Sequence, residues 1–292
     1  MNVNELFDKN YFDHSEYISP TNRFFYKFLS NHLSHMERYM NKLSIIIQGP
    51  LHNRSINTID NYLEYGEVIV SCWDTDDLSR LDRYKDDIKI VINKYSDISI
   101  KKRQSGSQAP WIYQNYTTLN GLKAAKGYFC IKVRSDESYP LLDPLINKLK
   151  HYRDTKDPQT NKYQDHKIIT SNIYFRYDWQ NKFHPSDHII AGTRKRMIES
   201  FELSNFYCRF NLTKFPEQLI CKAIINSYFD PITQRKDIAK ESKSIELMKK
   251  HFDIIRISAL PNHVWTSSYR KYDALYSEED WCHDINSIKI NT

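Results

Sequence analysis

Glycine is scarce: the chain has six in 292 residues. A glycine beside a strand end therefore carries weight, because there it lets a backbone approach a ligand, and Gly49 is so placed. The GxGxxG, Walker A, HExxH and GxSxG sequences are all missing. Dinucleotide oxidoreductases, P-loop enzymes and zincins thus lack their mechanical parts. Long apolar runs are missing too, and nothing approaches the roughly 18 residues that cross a bilayer. Met1 to Asn10 carries Glu5 and Asp8 and has none of the apolar run of a secretory signal. The five cysteines form no CxxC pair, and an odd count at irregular spacing argues against a disulfide framework or a zinc site. A reducing, cytoplasmic setting is expected, with no transmembrane segment.

The net charge of +6 is spread along the chain and mixed with acids. Its densest cluster outside helices, Lys101-Lys102-Arg103, is too short for a nucleic-acid arm, so no nucleic acid is expected as partner. The charge biases the protein toward anionic small molecules, or toward peripheral contact with an anionic membrane face.

What is present is a series of short, β-branched apolar runs separated by helical segments. Leu43 to Gln48, Glu67 to Trp73, Ile88 to Asn93 and Tyr128 to Val133 read as buried strands. Helices are expected over Ser55 to Tyr65, Leu78 to Tyr84, Trp111 to Lys126, Leu141 to Tyr152, Arg194 to Glu202 and Pro216 to Tyr228. Further strands are expected over Ile168 to Tyr177, Phe183 to Gly192 and Asp253 to Leu260. The strands lack in-out alternation, which predicts an α/β fold with a mostly parallel central sheet flanked by helices. Right-handed crossovers then gather the strand C-terminal ends on one edge, where ligands bind. Residues 1–42 are aromatic-rich and are expected to form a helical N-terminal extension to a single domain over 43–292.

Several side chains at that edge could carry chemistry. Asp136 and Glu137 follow an apolar strand and offer oxygen ligands for Mn²⁺ or Mg²⁺ bridging a diphosphate, aided by Lys132 or Arg134; a helix cap at Ser135 or Asp136 is the alternative. In Phe183-His184-Pro185-Ser186-Asp187-His188, two histidines and an acid could supply a general base, an acceptor contact or a metal ligand, or merely form a turn. Glu217 opens a helix after Pro216, where capping explains it, yet an acid there could equally serve as base. Asp74, Asp76 and Asp77 could hold a ribose or form a solvated loop, and Trp73 could stack on a base or belong to the core.

Taken together, Ile45 to Leu51, Val70 to Trp73, Lys132 to Glu137, Phe183 to His188 and Pro216-Glu217-Gln218 resemble the WavE lipopolysaccharide-synthesis family, which is similar to GT-A glycosyltransferases. The resemblance runs from about Leu43 to Tyr228, with His263-Val264-Trp265 in its tail. It implies a Rossmann-like GT-A fold, a nucleoside diphosphate sugar donor and a glycan or glycolipid acceptor. On that basis Gln48, Gly49, Pro50, Leu51, Trp73, Arg103, Gln104, Arg134 and Ser135 are expected to bind the donor. Asp136 and Glu137 are expected to hold the metal, although GT-A enzymes commonly show Asp-x-Asp and here the acids are adjacent. Asp187, Glu217 and His188 are the candidates for catalysis, and His263 could add a metal ligand or simply pack. A non-catalytic nucleotide- or carbohydrate-binding protein of the same fold is the rival, and a metal-dependent phosphodiesterase or nuclease a weaker one.

Overall fold

The computed structural model describes residues 43–98, 109–154, 167–173, 175, 183–208, 216–230 and 235–264. The expected N-terminal helical extension, Arg103 and Gln104 lie outside the described residues.

The first four strands form where the apolar runs predict them: β1 (Leu43–Gln48), β2 (Glu67–Trp73), β3 (Ile88–Asn93) and β4 (Phe129–Arg134). They are followed by β5 (Ile168–Ser171), β6 (Ile189–Thr193), a two-residue hairpin of β7 (Phe229–Asp230) and β8 (Arg235–Lys236), and β9 (Phe252–Ile255). Apart from the hairpin, the strands make one seven-stranded sheet in the order β3-β2-β1-β4-β6-β5-β9. Every pairing in it is parallel except those of β6, which runs against both β4 and β5. This is the mostly parallel, Rossmann-like α/β sheet expected of a GT-A fold.

The sheet is buried on both faces, and alternate residues of each strand serve different cores. Ile45, Ile47, Val68, Val70 and Val133 join one cluster with Tyr62 of α2 (Ile59–Tyr65) and with Leu145 and Leu149 of α4 (Asp143–Asp154). Ile46, Ile69, Cys130 and Ile190 join the other. There they meet Leu119 and Leu122 of α3 (Ala109–Ala124), Met197 and Phe201 of α5 (Arg194–Cys208), and Ile220 and Ile224 of α6 (Pro216–Ser227). Each such aliphatic side chain contributes about 1.5–3 kcal/mol when taken out of water, which makes this two-sided burial the main source of stability. α3 lies very close to β1: a Cβ added at Gly121 would meet Ile46 Cγ2 at 2.5 Å. Cys72, Cys130, Cys208 and Cys221 are buried free thiols, as expected of small hydrophobes. No helix among the described residues is long and apolar enough to cross a membrane.

The differences from expectation have local causes. The helix predicted over 55–65 is broken into α1 (Asn53–Ile56) and α2. Thr58 sits at the break, where its hydroxyl donates to the Arg54 carbonyl (2.7 Å) and so competes with the helical ladder. Residues Leu78–Tyr84 wind as a 3₁₀ helix, opened by Asp77. The strand predicted over 168–177 ends at Ser171, because the Asn172 carboxamide turns to accept from the Ile257 amide (2.8 Å). The run predicted over 183–192 becomes strand only from Ile189. β9 ends at Ile255 and gives way to a 3₁₀ turn over Ile257–Ala259. Before it lies an unpredicted helix, α7 (Ser244–His251), too short to show a sustained period.

A buried polar ladder fixes α3 beneath the strand ends. Thr117 donates to the Gln48 side chain (3.0 Å), Ser71 to the Thr117 carbonyl (2.7 Å), Asn93 to the Ser71 hydroxyl (3.0 Å) and Asn120 to the Asn93 side chain (2.8 Å). In register, Gln48 pairs with Ser71 and Arg134, and Trp73 with Asn93, so the C-terminal ends of four strands come level at one edge.

Candidate functional site

A pocket of about 430 Å³ opens at that edge, within the range of small-molecule sites. It brings together Gln48, Gly49, Pro50, Leu51, Trp73, Arg134, Ser135 and Asp136, all from the expected set. Tyr95, Tyr113 and Gln114 also line it and were not foreseen. The aromatic end is built from Trp73, which is 1% exposed, and from Tyr95, which is 40% exposed and stacks on it at 4.0 Å with an interplanar angle of 10°. Tyr113 meets both rings edge-on. Trp73 is thus mostly core, and Tyr95 presents the accessible face. Asp76 and Asp77 do local work: Asp76 accepts from the Trp73 amide (2.8 Å), and Asp77 caps the 3₁₀ turn through Ser79.

At the β1 end, Gly49 has φ of 113°, which L side chains rarely adopt, and an added Cβ would lie 2.8 Å from Ser135 Oγ. Two loops meet there at closest approach, tied by the Ser135 amide on the Gln48 carbonyl (3.0 Å). Gly49→Ala is therefore expected to cost about 1–3 kcal/mol in denaturant unfolding and to displace Ser135. An unchanged unfolding midpoint would mean that the two loops are free to separate.

The acid pair divides. α4 begins at Asp143, so neither Ser135 nor Asp136 caps it. Asp136 faces the pocket, and Arg134 grips its carboxylate with two hydrogen bonds, Nε to Oδ1 at 3.0 Å and Nη2 to Oδ2 at 2.9 Å. Arg54 adds a bond to the Asp136 carbonyl (3.0 Å). Burial opposes the Asp136 charge, but Arg134 outweighs it and holds the carboxyl below its ordinary range. Glu137 turns inward and is wholly buried. Its Oε2 accepts from the Tyr139 hydroxyl (2.6 Å), and its Oε1 lies 2.5 Å from His188 Nδ1. The segment Asn262 to Val264 closes beside the acids, since Ser138 and Val264 exchange two backbone bonds of 2.8 Å. His263 Nδ1 there lies 2.8 Å from the Leu260 carbonyl.

Behind Arg134 and Gln114 stands a second group of titratable side chains. Gln114 donates to Asp187 Oδ2 (2.7 Å), and Arg134 Nη1 lies 3.9 Å from the same oxygen. Lys132, expected to neutralise a diphosphate, is instead buried to 1% and donates to the Asp187 carbonyl. Burial brings its pKa down to about 8, against the pull of Asp187. Burial also disfavours the Asp187 charge, yet Lys132, His188, Arg134 and Gln114 together hold its pKa well below the usual range. Glu217 behaves oppositely. Burial, followed by the Asp187 charge, raises it from 4.5 to about 7. Its Oε2 is buried without a hydrogen bond, 3.5 Å from His184 Nε2, while its side chain keeps 26% exposure. Pro216 opens α6 and places Glu217 in the first turn. Upstream, Phe183 is buried at φ of 59°, an uncommon conformation for a bulky residue and a mark of a segment held in place by its surroundings.

A divalent cation fits only part of this. Asp136 reaches the pocket with both oxygens held by Arg134, whereas both Glu137 oxygens are engaged away from it, and the described residues contain no group of three His, Cys, Asp or Glu that could hold a metal. Glu137 thus does not take up the place expected of a metal ligand.

Among solved structures, similarity is distant. Glucosyl-3-phosphoglycerate synthase from Mycobacterium tuberculosis, with Mn²⁺, UDP and phosphoglyceric acid, shares 14% identity at a TM-score of 0.34. That match covers 57% of this chain and 64% of the synthase, so the chain spans under two thirds of its length. The apo form of the glycosyltransferase GlyE from Streptococcus pneumoniae shares 9% identity at a TM-score of 0.41, over 85% of this chain and 63% of GlyE. A CMP:2-keto-3-deoxy-manno-octonic acid synthetase with CTP shares 11% at 0.39, over 74% of this chain and 90% of that one. Likenesses so distant assign no substrate. No curated protein matches the chain. Residues 43–228, from β1 to just past α6, match the family described as WavE lipopolysaccharide synthesis, and the chain belongs to that family.

Proposed function

We propose that the protein is a glycosyltransferase that moves a sugar from a nucleoside diphosphate sugar to a hydroxyl of a glycan or glycolipid acceptor. The observation that carries this is the polarity of the pocket: flat aromatic rings, Tyr95 and Tyr113, at one end, and Arg134, Ser135 and Asp136 at the other. A nucleotide has the same division, with a planar base joined to an anionic diphosphate. Tyr95 would stack on the base, the Gly49 and Ser135 backbones would approach the phosphates, and Arg134 would offset charge on the departing diphosphate. Asp136 is the residue that would hold Mn²⁺ or Mg²⁺, which when bound neutralises diphosphate charge.

Glu217 is the base. A group titrating near 7 is matched to taking a proton at neutral pH, and the Glu217 side chain keeps 26% exposure although its Oε2 is buried. In an inverting displacement, the acceptor oxygen gives its proton to Glu217 and bonds the anomeric carbon as the bond to the diphosphate breaks. Asp187, held ionised by Lys132, Gln114 and Arg134, is a weaker base and serves to raise Glu217.

Titration of a panel of nucleoside diphosphates, with and without Mn²⁺, tests the donor site by calorimetry. One of them is expected to bind, and Tyr95→Ala to weaken it about 3- to 10-fold through loss of the stacked ring. Binding by none of them would sink the proposal. Binding without transfer to any acceptor would favour a nucleotide-binding protein.

A further inference from the structure

Glu137 is the acid of the pair that the pocket does not use, and its surroundings give it another task. It is wholly buried, and taking a carboxylate out of water costs several kcal/mol unless every lone pair is engaged. Three groups offset that cost here: Tyr139 Oη donates to Oε2 (2.6 Å), His188 Nδ1 lies 2.5 Å from Oε1, and Arg134 Nε lies 3.5 Å from Oε1. Tyr139 is itself fixed, since its amide donates to the Tyr62 hydroxyl (3.1 Å). A carboxylate can only accept, so the bond to Glu137 places the imidazole proton on Nδ1 and orients the ring.

The bond also joins two loops that flank the site. β4 and β6 are neighbours, with Val133 opposite Ile189, and Glu137 lies just past the end of β4 while His188 immediately precedes β6. Arg134 ends β4 and Asp136 lies in the first loop, while the second loop carries Asp187. An apolar pair could have filled the same buried space with equal or greater stability. The bond between Glu137 and His188 ties the two loops to each other at one point.

We propose that Glu137 is a positioning residue, which fixes His188 and with it the turn that presents Asp187 to Arg134, and that it takes no part in holding a cation. The kinetic consequence rests on the transferase function proposed above; the contact itself does not.

Glu137→Gln, His188→Asn and the double variant test this in the full-length protein. The imidazole ¹⁵N–¹H spectrum of the wild type is expected to show a strongly hydrogen-bonded proton on His188 Nδ1, and Glu137→Gln to shift that proton upfield as a charged acceptor becomes a neutral one. In each single variant kcat is expected to fall about 10- to 100-fold, as a small misplacement of reacting groups does. Donor KM and the affinity for Mn²⁺ alone, read by calorimetry, should stay within about 2-fold of the wild type, and the double variant should be no worse than the poorer single one. A 10-fold or greater loss of Mn²⁺ affinity in Glu137→Gln would overturn the proposal in favour of a cation ligand. An unchanged kcat would overturn it in favour of a purely structural contact. If Glu137→Gln does not fold, His188→Asn carries the same comparison from the other side of the bond. If the wild type binds no nucleotide, the transferase function fails, and the imidazole spectrum still decides the Glu137–His188 pair.

Discussion

Glu217→Gln is expected to lower kcat by about 10²- to 10⁴-fold, the usual contribution of a positioned general base. In the wild type kcat/KM should rise with pH through about 7 as Glu217 ionises, and this limb should vanish in the variant. Stability should move the other way. A carboxyl whose pKa is raised from 4.5 to about 7 binds more protons folded than unfolded between those values. Stability is therefore lost as pH rises through that window, by up to about 3 kcal/mol once both states are ionised. Glu217→Gln removes this slope, so urea unfolding at pH 8 should show the inactive variant to be more stable than the wild type. If Asp187→Asn abolished turnover while Glu217→Gln retained the rising limb, the base would be Asp187.

Arg134→Met carries the second large effect. The guanidinium serves three carboxylates: the two-point grip on Asp136, Glu137 at 3.5 Å and Asp187 at 3.9 Å. Burial works against its charge, but the Asp136 grip and the Asp187 and Glu137 charges raise its pKa above the ordinary value. Removing it leaves partly and wholly buried acids uncompensated, a loss of about 3–5 kcal/mol at pH 7. Because the pKa values of Asp136 and Asp187 are depressed in the fold, their share of stability is present above the ordinary carboxylate range and is lost as pH falls below it. The gap between wild type and Arg134→Met should accordingly narrow in acid. Arg134→Lys restores a charge without the fork and is expected to recover little of the stability or of diphosphate affinity. Full recovery in the lysine variant would show that charge alone matters at this position.

The strands and the edge were legible in the sequence because β-branched runs such as Ile45-Ile46-Ile47 and Val68-Ile69-Val70 have few stable solutions other than buried parallel strands. The reversal of β6 was not, since apolar content carries no strand direction. Gln48, Gly49, Trp73, Arg134 and Asp136 could be placed at the pocket because they end strands or follow them directly. Tyr95 and Tyr113 escaped notice because they come from a 3₁₀ turn (Tyr95–Asp97) and from a helix face, and meet only in space. A surplus of tyrosine was the one hint. The fates of Asp136 and Glu137 were also hidden. Adjacent residues after a strand point in different directions, and only the positions of His188 and Tyr139 decide which acid is drawn inward. Lys132 shows the converse: a lysine inside an apolar run looks like an edge residue until the strand on either side buries it.

Receipt of a nucleoside diphosphate sugar by the pocket at the ends of β1, β2 and β4 underlies every step proposed above. It is tested most directly by a crystal structure of the protein with the nucleoside diphosphate that calorimetry selects. Density is expected for the base against the outer face of Tyr95 and for the phosphates between the Gly49–Ser135 approach and Arg134. A nucleotide seated elsewhere on the molecule, or phosphates turned away from Arg134, would contradict it.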